Sequence, residues 1–206
     1  VKVTYKTSTK KNAKAKTKKL TYTLKVAKVG VALSGDSVVA IGNTTKLTNT
    51  KKNSSRAKIT YTSSDDSIAT VAADGTVTGV KAGKATITAK ITVGKDSAET
   101  TKDVEVKKFI LNSVTQSKLR ELTVDVAGDT KALKATDFTV VNPKTNVKYP
   151  VSKIAVDSKN TTKVTLTMFA DLSDAADYDV TLDGITKSFK ATDGKVASIS
   201  VDPLTI

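Results

Sequence analysis

IATVAADGTVTGVKAGKATITAK, residues 68–90, decides the fold by its punctuation. Two turn signals, Asp74-Gly75 and Lys81-Ala82-Gly83, separate short runs in which apolar and polar residues alternate. In the last run, which continues to Ile91, Ala85, Ile87, Ala89 and Ile91 share one side, and Thr86, Thr88 and Lys90 the other. Alternation of period two marks a half-buried strand, because successive side chains leave a strand on opposite faces. Gly75 and Gly83 permit the positive φ that tight β turns need. Ile68, Val71, Val77, Val80, Ile87 and Ile91 are expected to fill the space between two sheets. No reactive side chain lies in the stretch, so it reads as scaffold.

The same pattern recurs outward from it. Leu122, Val124 and Val126 alternate with Glu121, Thr123 and Asp125, and Val164, Leu166 and Met168 with Lys163, Thr165 and Thr167. Asn142-Pro143, Asp183-Gly184 and Asp193-Gly194 supply further turns. One-sided strands of this kind belong to antiparallel sheets with one dry and one wet face, and no helical stripe interrupts them. The expected fold is all-β: tandem β-sandwiches in an extended arrangement, which the resemblance given below identifies as immunoglobulin-like. Four segments are expected. Residues 1–26 are the closing hairpin of a preceding domain or a first strand pair with a long basic loop. Residues 27–107 and 108–190 are two sandwich-sized units, and 191–206 are a linker and the first strand of a following domain.

Composition narrows the chemistry. With neither His nor Cys among 206 residues, Ser–His–Asp and Cys–His catalysis, thiolate or imidazole zinc sites and disulfides are excluded. No apolar run approaches the ~18 residues of a membrane-spanning helix, so no membrane insertion is expected. Because the sequence begins at Val1, a signal peptide or anchor is expected to lie outside it. Net charge is +14, and all of the excess sits in residues 1–60, where fourteen Lys and Arg56 face Asp36 alone. A cationic segment on a neutral body points to an anionic polymer or an acidic neighbouring surface.

At ITYTSSDDSIATVAADGTVTGVKAGKATITA the chain resembles the bacterial immunoglobulin-like domain of group 2. The residues that carry the resemblance are Tyr61, Ser63-Ser64-Asp65, Ala69-Thr70-Val71, Gly75, Val77, Ala82-Gly83 and Thr86-Ile87-Thr88-Ala89. The family often has Trp where this chain has Tyr61. Further on, LNSVTQSKLRELTVDVAGDTKALKATDFTVV and TKVTLTMFADLSDAADYDVTLDGI are similar to immunoglobulin-like repeats of bacterial surface-layer proteins, with Phe138 and Tyr178 as the core aromatics. The resemblances imply a secreted protein at the cell surface or cell wall, built from strung β-sandwiches, and carry over no catalytic residue.

Candidate sites are few. Paired carboxylates could in principle act as in glycosidases, but the acids lie mostly in turns or on outward strand positions. Asp171, Asp174, Asp177 and Asp179 form an oxygen-rich loop of the kind that binds calcium, without the spacing or the Gly of a calcium loop. Asp65, Asp66 and Asp74 form a second such group. The alternative for the first loop is a polar segment with a short helical turn at Ala175-Ala176. Lys10, Lys11, Lys14, Lys16, Lys18 and Lys19 could contact an anionic cell-wall polymer. They lack the Arg and aromatic residues of nucleic-acid readers, so nucleic acid is not expected as a partner. Tyr149 could face outward beside Pro150, yet one ring makes no carbohydrate platform.

The expected function is a non-catalytic structural module of a bacterial surface protein, part of a surface layer, that spaces and makes lateral contacts with neighbouring copies. No enzyme activity, cofactor or resident metal is expected, calcium being the one candidate ion. The alternatives are the spacer stalk of an adhesin and an accessory β module of a secreted carbohydrate-active enzyme.

Overall fold

The computed structural model describes residues 28–53, 57–172 and 175–192. The expected segment 1–26 lies outside the described residues, as does all of 191–206 except Ala191 and Thr192. Among the described residues the first nine strands are β1 (Gly30–Ser34), β2 (Val38–Ala40), β3 (Thr44–Lys46), β4 (Thr48–Lys52), β5 (Lys58–Ser63), β6 (Ala69–Val71), β7 (Thr76–Gly79), β8 (Gly83–Val93) and β9 (Asp96–Lys107). Seven more follow: β10 (Phe109–Lys118), β11 (Glu121–Gly128), β12 (Phe138–Val141), β13 (Val151–Val156), β14 (Lys163–Met168), β15 (Asp177–Leu182) and β16 (Ile185–Lys190).

The first nine strands form the sheets β2-β9-β8-β5 and β3-β7-β6 with the ribbon β1-β4, and the rest form β10-β11-β14-β13 and β12-β15-β16. Among the described residues the protein is all-β, as its alternation implies, and immunoglobulin-like, as the resemblance implies. Among the described strands pairing is antiparallel except for β2, which runs parallel to β9 and continues into a parallel bridge from Ile41 to Gly79.

Apart from Val80, the quoted stretch folds as read. β6 and β7 pair across Asp74-Gly75, with Val71 opposite Val77, and β8 buries Ala85, Ile87, Ala89 and Ile91 while Thr86, Thr88 and Lys90 face away. Gly75 sits at φ +87°, where an added Cβ would lie 2.5 Å from the Leu47 carbonyl oxygen and 3.2 Å from the Tyr61 ring. Gly83 also has positive φ, +154°. Val39, Leu47, Ala69, Val77, Ala85, Ile87, Val104 and Val106 make one core, with Ile68 and Val71 half-buried against it.

Val80 departs from the expectation: it is 46% exposed. Val77 and Gly79 face inward in β7, so alternation itself turns Val80 outward, and the chain then turns as the Val80 and Lys81 amides both donate to the Ile68 carbonyl.

A second core gathers Leu122, Val124, Val126, Val140, Val164, Leu166, Met168 and Val180 around the aromatics. Tyr178 is fully buried and Phe138 nearly so, as the resemblance implied. Tyr178 meets Tyr149 edge-on at 5.0 Å and stacks on Phe189 at 5.6 Å, geometries that add about 0.5–1.5 kcal/mol per pair beyond area burial. The suggested outward placement of Tyr149 is therefore corrected: its ring packs against this core.

No helical turn forms at Ala175-Ala176 either. Ala175 has φ +55°, its amide donates to the Ala191 carbonyl, and the Ala191 amide donates to the Ala176 carbonyl. These bonds prolong the β15–β16 hairpin. The short 3-10 turns lie instead at Thr130–Ala132 and Ala135–Asp137.

Candidate functional site

Five of the candidate acids each have a partner of their own, and Asp66 is exposed. Asp171 pairs with the Arg120 Nε, which raises the Arg120 pKa through that hydrogen bond. Asp177 pairs with Lys144 at 2.9 Å, and that hydrogen bond lowers its pKa. Asp179 accepts from the Ser188 hydroxyl at 2.6 Å. Asp174 lies outside the described residues.

In the other group Asp74 pairs with Lys46 and also accepts from the Thr76 amide at 2.9 Å, so its pKa falls far below the carboxylate range, the Lys46 hydrogen bond being the largest cause. Asp65 accepts from the hydroxyl and amide of Ser67, and these bonds lower its pKa. The carboxylates thus staple turns and strands, each within its own neighbourhood. Among the described residues no cluster of three acids converges on one point. The basic run Lys10, Lys11, Lys14, Lys16, Lys18 and Lys19 lies outside the described residues.

Geometry concentrates instead where the chain crosses between the two cores. Lys28 and Val29 line a cleft with Asp96 and Ser97, so the chain comes into the first sandwich beside the start of β9. It leaves at Lys107, the end of β9. At ~3.4 Å per residue an eleven-step strand spans roughly 37 Å, so the two points are at opposite poles. The second sandwich repeats the plan. The chain arrives at Phe109, the start of β10, and by Thr192 its amide donates at 2.7 Å to the Gln116 Oε1, near the far end of β10.

Only Lys108 separates β9 from β10. The Phe109 amide donates to the Asp183 Oδ2 at 3.1 Å, and the Lys107 Nζ donates to the Asp183 carbonyl at 3.1 Å while pairing with Glu105 at 3.2 Å. The Lys108 Nζ sits 5.0 Å from the centre of the Phe109 ring. Asp183 and Gly184 form a two-residue β15–β16 loop with φ of +48° and +74°, the positive pair that a type I′ turn requires. Asp183-Gly184 was legible as a turn, whereas its grip on Lys107 and Phe109 carried no sequence signal. At the far pole of the second sandwich Leu119 and Phe169 are 41% and 66% exposed.

No described helix is long and apolar enough to cross a membrane. Residues 30–104 match the family model described as bacterial Ig-like domain (group 2). An alpha-L-arabinofuranosidase of Bifidobacterium longum subsp. longum is 46% identical over 87 residues, covering 36% of this chain and 8% of the enzyme. The chain therefore spans a small fraction of that relative's length.

Among solved structures, domains 4 and 5 of the S-layer protein SbsC align over 79% of this chain and 96% of theirs at 16% identity and a TM-score of 0.31. The three N-terminal domains of the bacteriophage RB49 highly immunogenic outer capsid protein align over 78% and 66% at 9% identity and 0.28. Overlap this loose assigns nothing. The family match coincides with the strands and glycine turns of the first core, and on that ground residues 30–104 are a bacterial Ig-like domain of group 2.

Proposed function

We propose that this chain is a non-catalytic spacer module of a bacterial cell-surface protein, of surface-layer type, and that its sandwiches hold distance and present faces for lateral contact. The observation that carries this reading is the path of the chain. It passes pole to pole through each sandwich and crosses between them on Lys108 alone, so every unit adds its full strand length to the reach of the protein. A binding or catalytic module has no need of that path, whereas a spacer depends on it.

The two units are residues 27–107 and 108–190, each with its own core. The excess positive charge of residues 1–60 supports an anionic wall polymer or an acidic face of a neighbouring copy as contact. The test is molecular mass and shape by light scattering and small-angle X-ray scattering, at low and high salt, with and without millimolar calcium. Elongated particles that grow in mass at low salt support spacing and charge-driven lateral contact together. Elongated monomers under all conditions support spacing and reject lateral assembly by these units. A compact particle overturns the reading.

The arabinofuranosidase match favours one other reading, an accessory β module of a secreted carbohydrate-active enzyme. Affinity electrophoresis of this chain in arabinan-containing gels tests it: retardation relative to a plain gel favours the accessory role, and unchanged mobility counts against it.

A further inference from the structure

Among the described strands, the parallel ladder joins the strand nearest the point of arrival to the strand that leaves. β2 lies beside the end of β9 with Val38 opposite Glu105, Val39 opposite Val106 and Ala40 opposite Lys107. Two backbone bonds bracket the pair: the Glu105 amide donates to the Ser37 carbonyl at 2.7 Å, and the Ile41 amide donates to the Lys107 carbonyl at 2.9 Å. On its other side β2 is held by Gly79, which bridges Ile41 and whose carbonyl accepts from the Gly42 amide at 2.9 Å.

The direction of load follows from the poles. Tension applied through the chain draws Lys28, and with it β1 and β2, back toward the pole where the chain comes in. It draws β9 toward the opposite pole. Because β2 and β9 point the same way, the two pulls are antiparallel and lie along the strand axes. Displacement along the axes stretches every bond of the ladder at once, whereas pulling the strands apart sideways breaks the bonds one after another. We infer that the β2–β9 seam is the tension-bearing element of the first sandwich and that the protein withstands force along its length.

This goes beyond the spacer reading, since a spacer need hold distance only at rest. It also separates the two sandwiches. In the second, β10 and β16 run side by side but belong to different sheets, and among the described residues no ladder joins them. Tension there must pass from sheet to sheet through side chains.

The protein contains no cysteine, so introduced thiols give unique attachment points for single-molecule pulling. Asp36→Cys with Lys108→Cys places the handles beyond opposite ends of the seam and loads it along its axis. Asn43→Cys with Lys108→Cys places both beyond the same end and peels it. All three positions are exposed, and the fold is the same in both cases, so stability does not enter the comparison. The expected result is a severalfold higher unfolding force for the 36–108 pair at equal pulling speed. Equal forces, or a lower force for the 36–108 pair, overturn the inference. Neither result bears on whether the chain is a spacer, which the scattering measurements decide.

Discussion

The Phe109 amide and the Asp183 carboxylate, 74 residues apart in sequence, meet at 3.1 Å where the chain crosses from one core to the other. One carboxylate oxygen fixes the first residue of β10, while the carbonyl of the same Asp183 fixes Lys107. The crossing is thereby tied on both sides of Lys108 by a turn that belongs to the second sandwich.

Asp183→Gly keeps the positive φ of the turn and removes the carboxylate, leaving a part-buried amide without its partner. A loss of about 1–2 kcal/mol is expected in the second unit, the range for a hydrogen bond lost to an unsatisfied donor. Hydrogen exchange at the Phe109 amide should accelerate, and residual dipolar couplings should show freer reorientation of the units. Unchanged exchange at Phe109 would show that the bond does not hold the joint.

Gly75 is expected to tolerate no side chain. Gly75→Ala places a Cβ against the Leu47 carbonyl at a φ that disfavours L residues by about 1–2 kcal/mol, and overpacking adds roughly 1–3 kcal/mol. Urea denaturation should show a loss at the upper end of those values. The Tyr61 hydroxyl, which accepts from the Asn49 Nδ2 at 2.8 Å, should lose this bond as the ring shifts. A loss below ~0.5 kcal/mol would mean the β6–β7 turn relaxes freely.

How much was legible follows from how local each signal is. Ile87 and Leu166 could be placed in cores because alternation is a property of a few neighbouring residues, and Gly75 could be placed in a turn for the same reason. Val80 misled because it was assigned to the core against the alternation: Val77 and Gly79 face inward, so the same period puts Val80 outward, and hydrogen bonds to Ile68 then redirect the chain. Tyr149 was harder still, since its burial depends on Tyr178 and not on its own neighbours. The parallel seam left no trace: β2 is three residues long with no alternation, and its partner lies at the far end of the same unit. The charge asymmetry that suggested an anionic partner was legible in full, but the lysines that carry most of it lie outside the described residues.

Stability should be flat between about pH 5.5 and 8, because no His is present and no other side chain ordinarily titrates there. Below that it should fall. Asp125 accepts from the Asn112 amide, the largest cause of its lowered pKa, and from Lys163 at 2.8 Å. Its unfolded form has the ordinary value of 3.8, so its contribution is complete above about pH 4–5 and disappears as pH falls through the lower, folded value. Asp125→Asn should therefore be destabilising at pH 7 and nearly neutral at pH 2, as read by urea denaturation at both. An equal penalty at the two pH values would show that the carboxylate charge is not what Asn112 and Lys163 stabilise.

If the two cores are separate cooperative units, a cavity in one should leave the other's transition in place. Ile87 and Leu166 are both fully buried, one in each core, and truncation of such residues to Ala typically costs about 2–5 kcal/mol. Ile87→Ala should lower the midpoint of one calorimetric transition and Leu166→Ala that of the other. The bonds from Asp183 to Lys107 and Phe109 couple the units, so each variant should also shift its neighbour, by no more than the strength of that joint. Removing the coupling with Asp183→Gly should make the two effects additive. A single transition that both substitutions move alike would mean that the sandwiches fold as one body, and residues 107–109 would then lie inside a domain instead of between two.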